Sequence, residues 1–300
     1  MLTTFYVCLS YISWHNKSGS FSYNSATLII TPLFLNYLYA VQIFPRLKRF
    51  AGILSTEHVW DMIYCLDLRN HGRSEYTKDF SLKCLVADLE NFMKNQNIPK
   101  AVLISHSLGS KIALEFALSK PEMVEKLVIE DMFLFESEKS KEYIRLATEM
   151  LQKAEKMVSN LPSSVTEKQL FKMMQPYFSK YFPMMLKTSN TSKKLIPIPV
   201  YKDKSGKFVW DLNVEVISSF EKNLLREFQI DISNDPVYHG KSLFLSADHS
   251  VYNADGNKDL VLKHFPNAQF YVFKGGFHTY HNEFPDLFVK VVSDLIIDTA

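Results

Sequence analysis

Three features of the 300-residue sequence predict an α/β fold: a mostly parallel sheet flanked by helices, with a helical cap inserted into it. Short apolar runs alternate with amphipathic stretches from Met62 to Ile129. The alternation stops between Phe133 and about Lys187, where the chain reads as helical. It resumes with two apolar runs, Ser242–Ser246 and Gln269–Phe273. Strands separated by helix-length crossovers pair in parallel, and a parallel sheet is covered on both faces.

Each element has its own warrant. Met62–Leu66 (MIYCL) reads as a strand that ends at Asp67, followed by the loop DLRNHGRS. Phe80–Asn95 is helical, with Leu82, Leu85, Val86, Leu89 and Phe92 along one face. Ala101–Ile104 is the next buried strand. Lys111–Ser119 is a helix that stops near Lys120, because the residue before Pro121 leaves the helical region. Lys126–Ile129 is a third strand, ending at Glu130-Asp131. Glu136–Met157 is a charged amphipathic helix, and Thr166–Leu186 is mainly helical, with breaks expected at Pro176 and Pro183. Val200–Trp210 reads as a hairpin turning near Ser205-Gly206. These pieces form the cap, at about residues 133–225. A last helix, Leu287–Ile297, closes the chain.

The first 55 residues differ from the rest and are expected to stand apart from a domain covering 56–300. They are rich in Phe, Tyr, Ser, Asn and Leu and poor in acid. Leu28–Phe44 is a mostly apolar run of 17 residues, interrupted by Pro32, Asn36 and Gln42 and followed by Arg46, Lys48 and Arg49. A membrane span needs about 20 apolar residues. A membrane anchor is therefore possible but not favoured. An organelle-targeting segment and an atypically packed N-terminus are the other readings.

Composition narrows the function. A net charge of +2 with scattered Lys and Arg argues against nucleic acid as a partner. Three cysteines with no CxxC pairing, Cys8, Cys65 and Cys84, read as reduced thiols in an intracellular protein, not as a disulfide frame or zinc site. No metal or organic cofactor is called for. Oligomeric state leaves no trace in the sequence.

The chemistry-bearing stretch is VLISHSLGSKIALEF, Val102–Phe116. A nucleophile on a cramped strand-to-helix turn needs small residues two before and two after it. Ser107 meets this with Ser105 and Gly109, although the GxSxG pattern has glycine at the first position. The turn also sets Ser107 at a helix N-terminus, where free N–H groups favour developing negative charge. A base is offered by His278 in KGGFHTYH, after the strand QFYVF, with His281 as a structural neighbour. An orienting carboxylate is needed as well. Asp131 and Asp248 both end strands at the correct edge, and Glu215 follows the hairpin; spacing does not separate them.

From about Tyr64 onward these residues resemble the α/β-hydrolase superfamily, and within it the branch of α/β-hydrolase domain-containing protein 11 and small bacterial esterases. The matching stretches are LDLRNHGRS, SHSLGSKIALEFALSKPEMVEKLVIED, GKFVWDLN, LKHFPNAQF and GGFHTYHNEFP. The resemblance implies the α/β-hydrolase fold, with Ser107 as nucleophile, His278 as base and Asp131 as first choice of acid, ahead of Asp248 and Glu215. It implies hydrolysis of carboxylic esters, lipid-like or acyl, and a mitochondrial location. His106, Phe171, Met174 and Phe178 are candidate substrate-binding residues. The alternative for the Met- and Phe-rich cap residues is packing of the cap onto the core.

An oxyanion hole would take one donor from the Leu108 backbone N–H and another from a loop after an early strand. No His-Gly precedes Met62: His71-Gly72 belongs to a later loop, and before Met62 the only glycines are Gly19 and Gly52. The second donor is therefore unassigned. This keeps open a catalytically impaired protein that uses the same fold to bind a ligand or partner.

Overall fold

A computed structural model describes residues 26–31, 60–72, 74–135, 137–181, 200–219, 222, 226–252 and 258–297. Six strands form one sheet: β1 (Ala26–Thr31), β2 (Trp60–Cys65), β3 (Ala101–His106), β4 (Val124–Glu130), β7 (Lys241–Ala247) and β8 (Ala268–Phe273). Their order is β2-β1-β3-β4-β7-β8, and every pairing is parallel. A short antiparallel hairpin, β5 (Val200–Lys202) and β6 (Phe208–Trp210), stands apart from it.

Strand alternation divides the core. Leu103, Leu127, Ile129 and Phe244 face one layer, together with α1 (Leu82–Asn95) and α2 (Leu108–Ser119). Val102, Ile104, Val128, Leu243 and Leu245 face the other, against α8 (Pro285–Ile297) through Phe288, Val292 and Leu295. Successive side chains point to opposite faces, so a strand covered on both sides must be apolar throughout. That is why VLI and LVI read as unbroken runs.

The cap consists of α3 (Glu138–Ser159), α4 (Glu167–Tyr181), the hairpin and α5 (Val214–Ser218). It has its own small core of Met150, Ala154, Val158, Leu161, Leu170, Met174 and Phe208. Two short helices, α6 (Lys258–His264) and α7 (Tyr280–Glu283), complete the described chain. Helix α4 runs through Pro176 instead of breaking there. The proline forgoes a single backbone bond, while Met174 before it and Tyr177 after it stay packed in or against the cap core.

Two further expectations are revised. Residues 1–55 do not all stand outside the domain, because β1 lies inside the sheet between β2 and β3. Its residues, ATLIIT, overlap the start of the apolar run Leu28–Phe44, which hid a strand inside a longer hydrophobic stretch. The rest of that run lies outside the described residues. Among the described residues no helix is long and apolar enough to cross a membrane. Helix α2 begins at Leu108, three residues before the expected Lys111. Gly109 and Ser110 are weak helix formers, yet nearly every side chain from Leu108 to Leu118 is buried, and packing overrides propensity.

The loop after β2 fastens the cap to the sheet. The Asn70 side-chain oxygen accepts from the Thr77 N–H at 2.8 Å and from the Asn213 amide at 3.0 Å. Gly72 N–H donates to the Asp211 carbonyl at 2.8 Å, and His71 bridges Leu212. Burial holds the His71 imidazole neutral, lowering its pKa from 6.5 to about 4. Between those values the unfolded chain binds a proton that the folded chain does not. Stability is therefore full above pH 6.5 and falls as pH drops to 4, by about 3 kcal/mol from this group. Urea unfolding at stepped pH is expected to show this slope, and His71→Gln to flatten it. Equal slopes in the two proteins would refute the assignment.

Candidate active site

Strand β3 ends at His106 and helix α2 begins at Leu108, leaving Ser107 alone to reverse the chain. Its backbone sits at φ 54° and ψ −116°, a strained conformation for a residue with a Cβ. Two small neighbours make the turn possible and are tied down themselves. The Ser105 hydroxyl donates to the Val128 carbonyl at 3.1 Å, and the Ser110 hydroxyl to the Ser105 carbonyl at 2.6 Å. Both flanking serines are thus committed to backbone, and Ser107 alone of the three turns its hydroxyl to a side chain. The Ser107 N–H donates to the Glu130 carbonyl at 3.0 Å and fastens the turn to β4. Leu108 opens the helix, so its N–H belongs to the first-turn amides that have no acceptor within the helix.

Topology sets this turn at a crevice. From β1 the chain passes to β2 on one side; from β3 it passes to β4 on the other. Neighbouring strands whose connections diverge leave a cleft at their C-terminal ends, the usual place for ligands in open α/β sheets.

His278 reaches Ser107, and Asp131 reaches His278. His278 Nε2 lies 3.1 Å from Ser107 Oγ, and His278 Nδ1 lies 2.6 Å from Asp131 Oδ2. Asp131 follows β4 directly at φ 50° and is fully buried. Its N–H donates to the Leu245 carbonyl at 2.8 Å, and Oδ2 also accepts from the Ser250 hydroxyl. The loop carrying His278 depends on glycine at two positions. Gly275 has φ 74°, and a Cβ on Gly276 would stand 3.1 Å from the Tyr280 Cβ and 3.2 Å from the Phe273 carbonyl oxygen. A hydroxyl bonded to an imidazole that is itself bonded to a buried carboxylate can pass its proton to Nε2 as it attacks a carbonyl carbon.

Aromatic rings pack around His278. The Tyr252 ring centroid is 4.6 Å away, that of His106 4.6 Å, and that of Tyr143 6.3 Å. Burial raises the Tyr143 phenol well above its ordinary value, with Asp131 adding to the shift, so it stays protonated. Burial likewise raises the Glu283 carboxyl, whose oxygens accept from the Phe277 N–H at 3.3 Å.

The other expected site residues lie elsewhere. Asp248 accepts from the Gly275 N–H at 2.7 Å and so braces the histidine loop without touching the imidazole. Glu215 is an exposed residue in the first turn of α5. It lines a cavity of about 730 Å³ beside α3 and β6, which none of Ser107, Asp131 or His278 lines. Met174 is buried in the cap core, because its helix face packs on α3, so the packing alternative holds for it. Phe171 is half-buried on the same helix, and the Phe178 side chain lies outside the described residues. His106 is buried beside the base instead of lining a substrate surface. Any loop donor after β1 also lies outside the described residues. Ser250, Tyr143 and Tyr252 were not foreseen; each lies over 25 residues from its partner, with no local pattern to mark it. Among the described residues no group of three His, Cys, Asp or Glu side chains is arranged to hold a metal.

Comparison with known proteins agrees with this architecture. Residues 62–285 match the family described as alpha/beta hydrolase fold. The sn-1-specific diacylglycerol lipase ABHD11 of Danio rerio is 27% identical over 239 residues, covering 77% of this chain and 68% of that protein. An abhydrolase domain-containing protein of Schizosaccharomyces pombe is 26% identical over 285 residues, covering 88% of this chain and 96% of its own. Among solved structures, a marine microorganism esterase superposes with a TM-score of 0.71 at 23% identity, covering 98% of this chain and 100% of the esterase; it is a likeness of fold. With three quarters of its length matched in order, the chain belongs to the α/β hydrolase fold family and is an enzyme of the hydrolase class.

Proposed function

We propose that the protein is a serine hydrolase that cleaves carboxylic esters through an acyl-enzyme on Ser107. The observation that carries this reading is the continuous chain of hydrogen bonds from Ser107 Oγ through His278 to Asp131, at 3.1 and 2.6 Å. In the first half-reaction His278 Nε2 takes the Ser107 proton while Oγ bonds to the ester carbonyl carbon. The tetrahedral oxyanion sits at the Leu108 N–H. Collapse breaks the bond to the alcohol oxygen, and His278 returns its proton to that oxygen. Water repeats the sequence on the acyl-serine and releases the acid. Asp131 holds Nδ1–H toward itself, so the lone pair at Nε2 faces the serine, and it stabilises the imidazolium that forms.

Lipid-like or acyl esters are the proposed substrates. The lipase named above, a relative at 27% identity, supports that class. A mitochondrial location is part of the same proposal and follows from the resemblance alone. The test is purified full-length chain with 4-nitrophenyl esters of short to long acyl chains. A burst of nitrophenolate equal to the enzyme concentration, absent in Ser107→Ala, is the expected result. Folded protein that releases none from any ester would overturn the reading.

A further inference from the structure

A second carboxylate–imidazole pair lies beside the first. His281 Nδ1 is 3.0 Å from Glu130 Oε2, and both groups are buried. Next to them stands His106, the last residue of β3 and the register partner of Glu130 on β4. The His106 ring centroid is 4.8 Å from that of His281 and 4.6 Å from that of His278. Its Nε2 is 2.7 Å from the backbone carbonyl oxygen of His278.

A carbonyl oxygen only accepts, so His106 Nε2 carries the proton and donates it. Burial, reinforced by the neighbouring His278 and His281, pushes the His106 pKa well below its ordinary value and keeps the ring neutral. The donor is therefore one fixed tautomer at one fixed place. Glu130 links the same cluster to the elbow: its carbonyl accepts from the Ser107 N–H, and its N–H is bonded to the Ser110 hydroxyl at 3.2 Å. Nucleophile turn and base loop thus rest on one scaffold of buried polar groups. The loop bearing His278 is anchored at Gly275 by Asp248 and at His278 itself by His106.

We propose that His106 is a positioning residue for the base: packed against the Glu130–His281 pair, its Nε2–H donates to the His278 carbonyl and holds the imidazole within reach of Ser107. This rests on Ser107 and His278 being nucleophile and base. The residue preceding the nucleophile thereby acts on the far side of the base, through backbone, and touches no substrate. A shift of about 1 Å in a reacting group can cost about 100-fold in rate, so the loss of this anchor falls on kcat.

Two variants separate the donor from the ring. His106→Phe keeps a flat ring against His278 and His281 but has no donor. His106→Gln carries an amide N–H close to where Nε2 stands. The expected result is a kcat lowered about 10- to 100-fold in His106→Phe with KM unchanged, and kcat restored to within about threefold in His106→Gln. Should His106→Phe not fold, His106→Asn, whose shorter amide falls short of the carbonyl, serves as the donor-less variant. Equal kcat in wild type and the donor-less variant overturns the inference. So does an equal loss in both variants, which marks a purely structural role. Wild-type labelling by a fluorophosphonate probe is measured alongside. Labelled wild type with an unaffected donor-less variant sinks only this inference, whereas unlabelled folded wild type sinks the parent reading as well.

Discussion

Replacing Ser107 with alanine is expected to lower kcat for ester hydrolysis about 10⁶-fold, the scale seen when one member of a cooperating nucleophile–base pair is removed. What remains would come from binding and from the Leu108 N–H. Stability should not fall with activity. The substitution deletes a hydroxyl whose hydrogen bond is to a partly accessible imidazole, a contribution of about 1 kcal/mol. The strained φ of 54° stays in either protein. Thermal unfolding is the control: an inactive variant that melts with wild type assigns the loss to chemistry. An active Ser107→Ala would remove the nucleophile from this turn, since Ser105 and Ser110 both spend their hydroxyls on backbone carbonyls.

The second large effect concerns the carboxylate. Asp131→Asn should lower kcat about 10⁴-fold, because an amide no longer selects the tautomer with Nδ1–H and no longer offsets the imidazolium. Asp248→Asn should cost less than about tenfold, since its side-chain oxygen can still accept from the Gly275 N–H. The comparison is made on kcat at fixed pH with both proteins folded. A reversal, with Asp248→Asn the crippled enzyme, would mean that the histidine loop swings to the neighbouring strand end in solution.

The elbow was readable because its physical demands are local. A serine between a three-residue apolar run and a helix, with Ser105 and Gly109 at the cramped positions, has few other uses. His278 was readable for a similar reason: two glycines after a strand, one at φ 74° and one pressed against Tyr280, exist to aim the next side chains. The acid was not readable from spacing. Asp131 and Asp248 end neighbouring strands, and what separates them is backbone: Asp131 at φ 50° turns its carboxylate onto His278, while Asp248 is engaged by Gly275. Only the resemblance ranked them.

The remainder was hidden by contacts distant in sequence. Ser250 reaches Asp131, His106 reaches the carbonyl of His278, and His281 reaches Glu130, each across more than a hundred residues. Strand β1 was concealed differently. Its last four residues open a longer apolar run, so the stretch did not read as a separate strand, yet it lies inside the sheet between β2 and β3. Met174 was open to two readings, an acyl surface or cap packing. Its type suits an acyl surface, but its helix face packs on α3.

Peptide-mapped mass spectrometry of the full chain after reaction with a fluorophosphonate probe tests the catalytic claim most directly. One adduct per folded molecule is expected, located on Ser107, and none after unfolding or in Ser107→Ala. Folded protein that carries no adduct, or carries it at another residue and keeps it in Ser107→Ala, would contradict it.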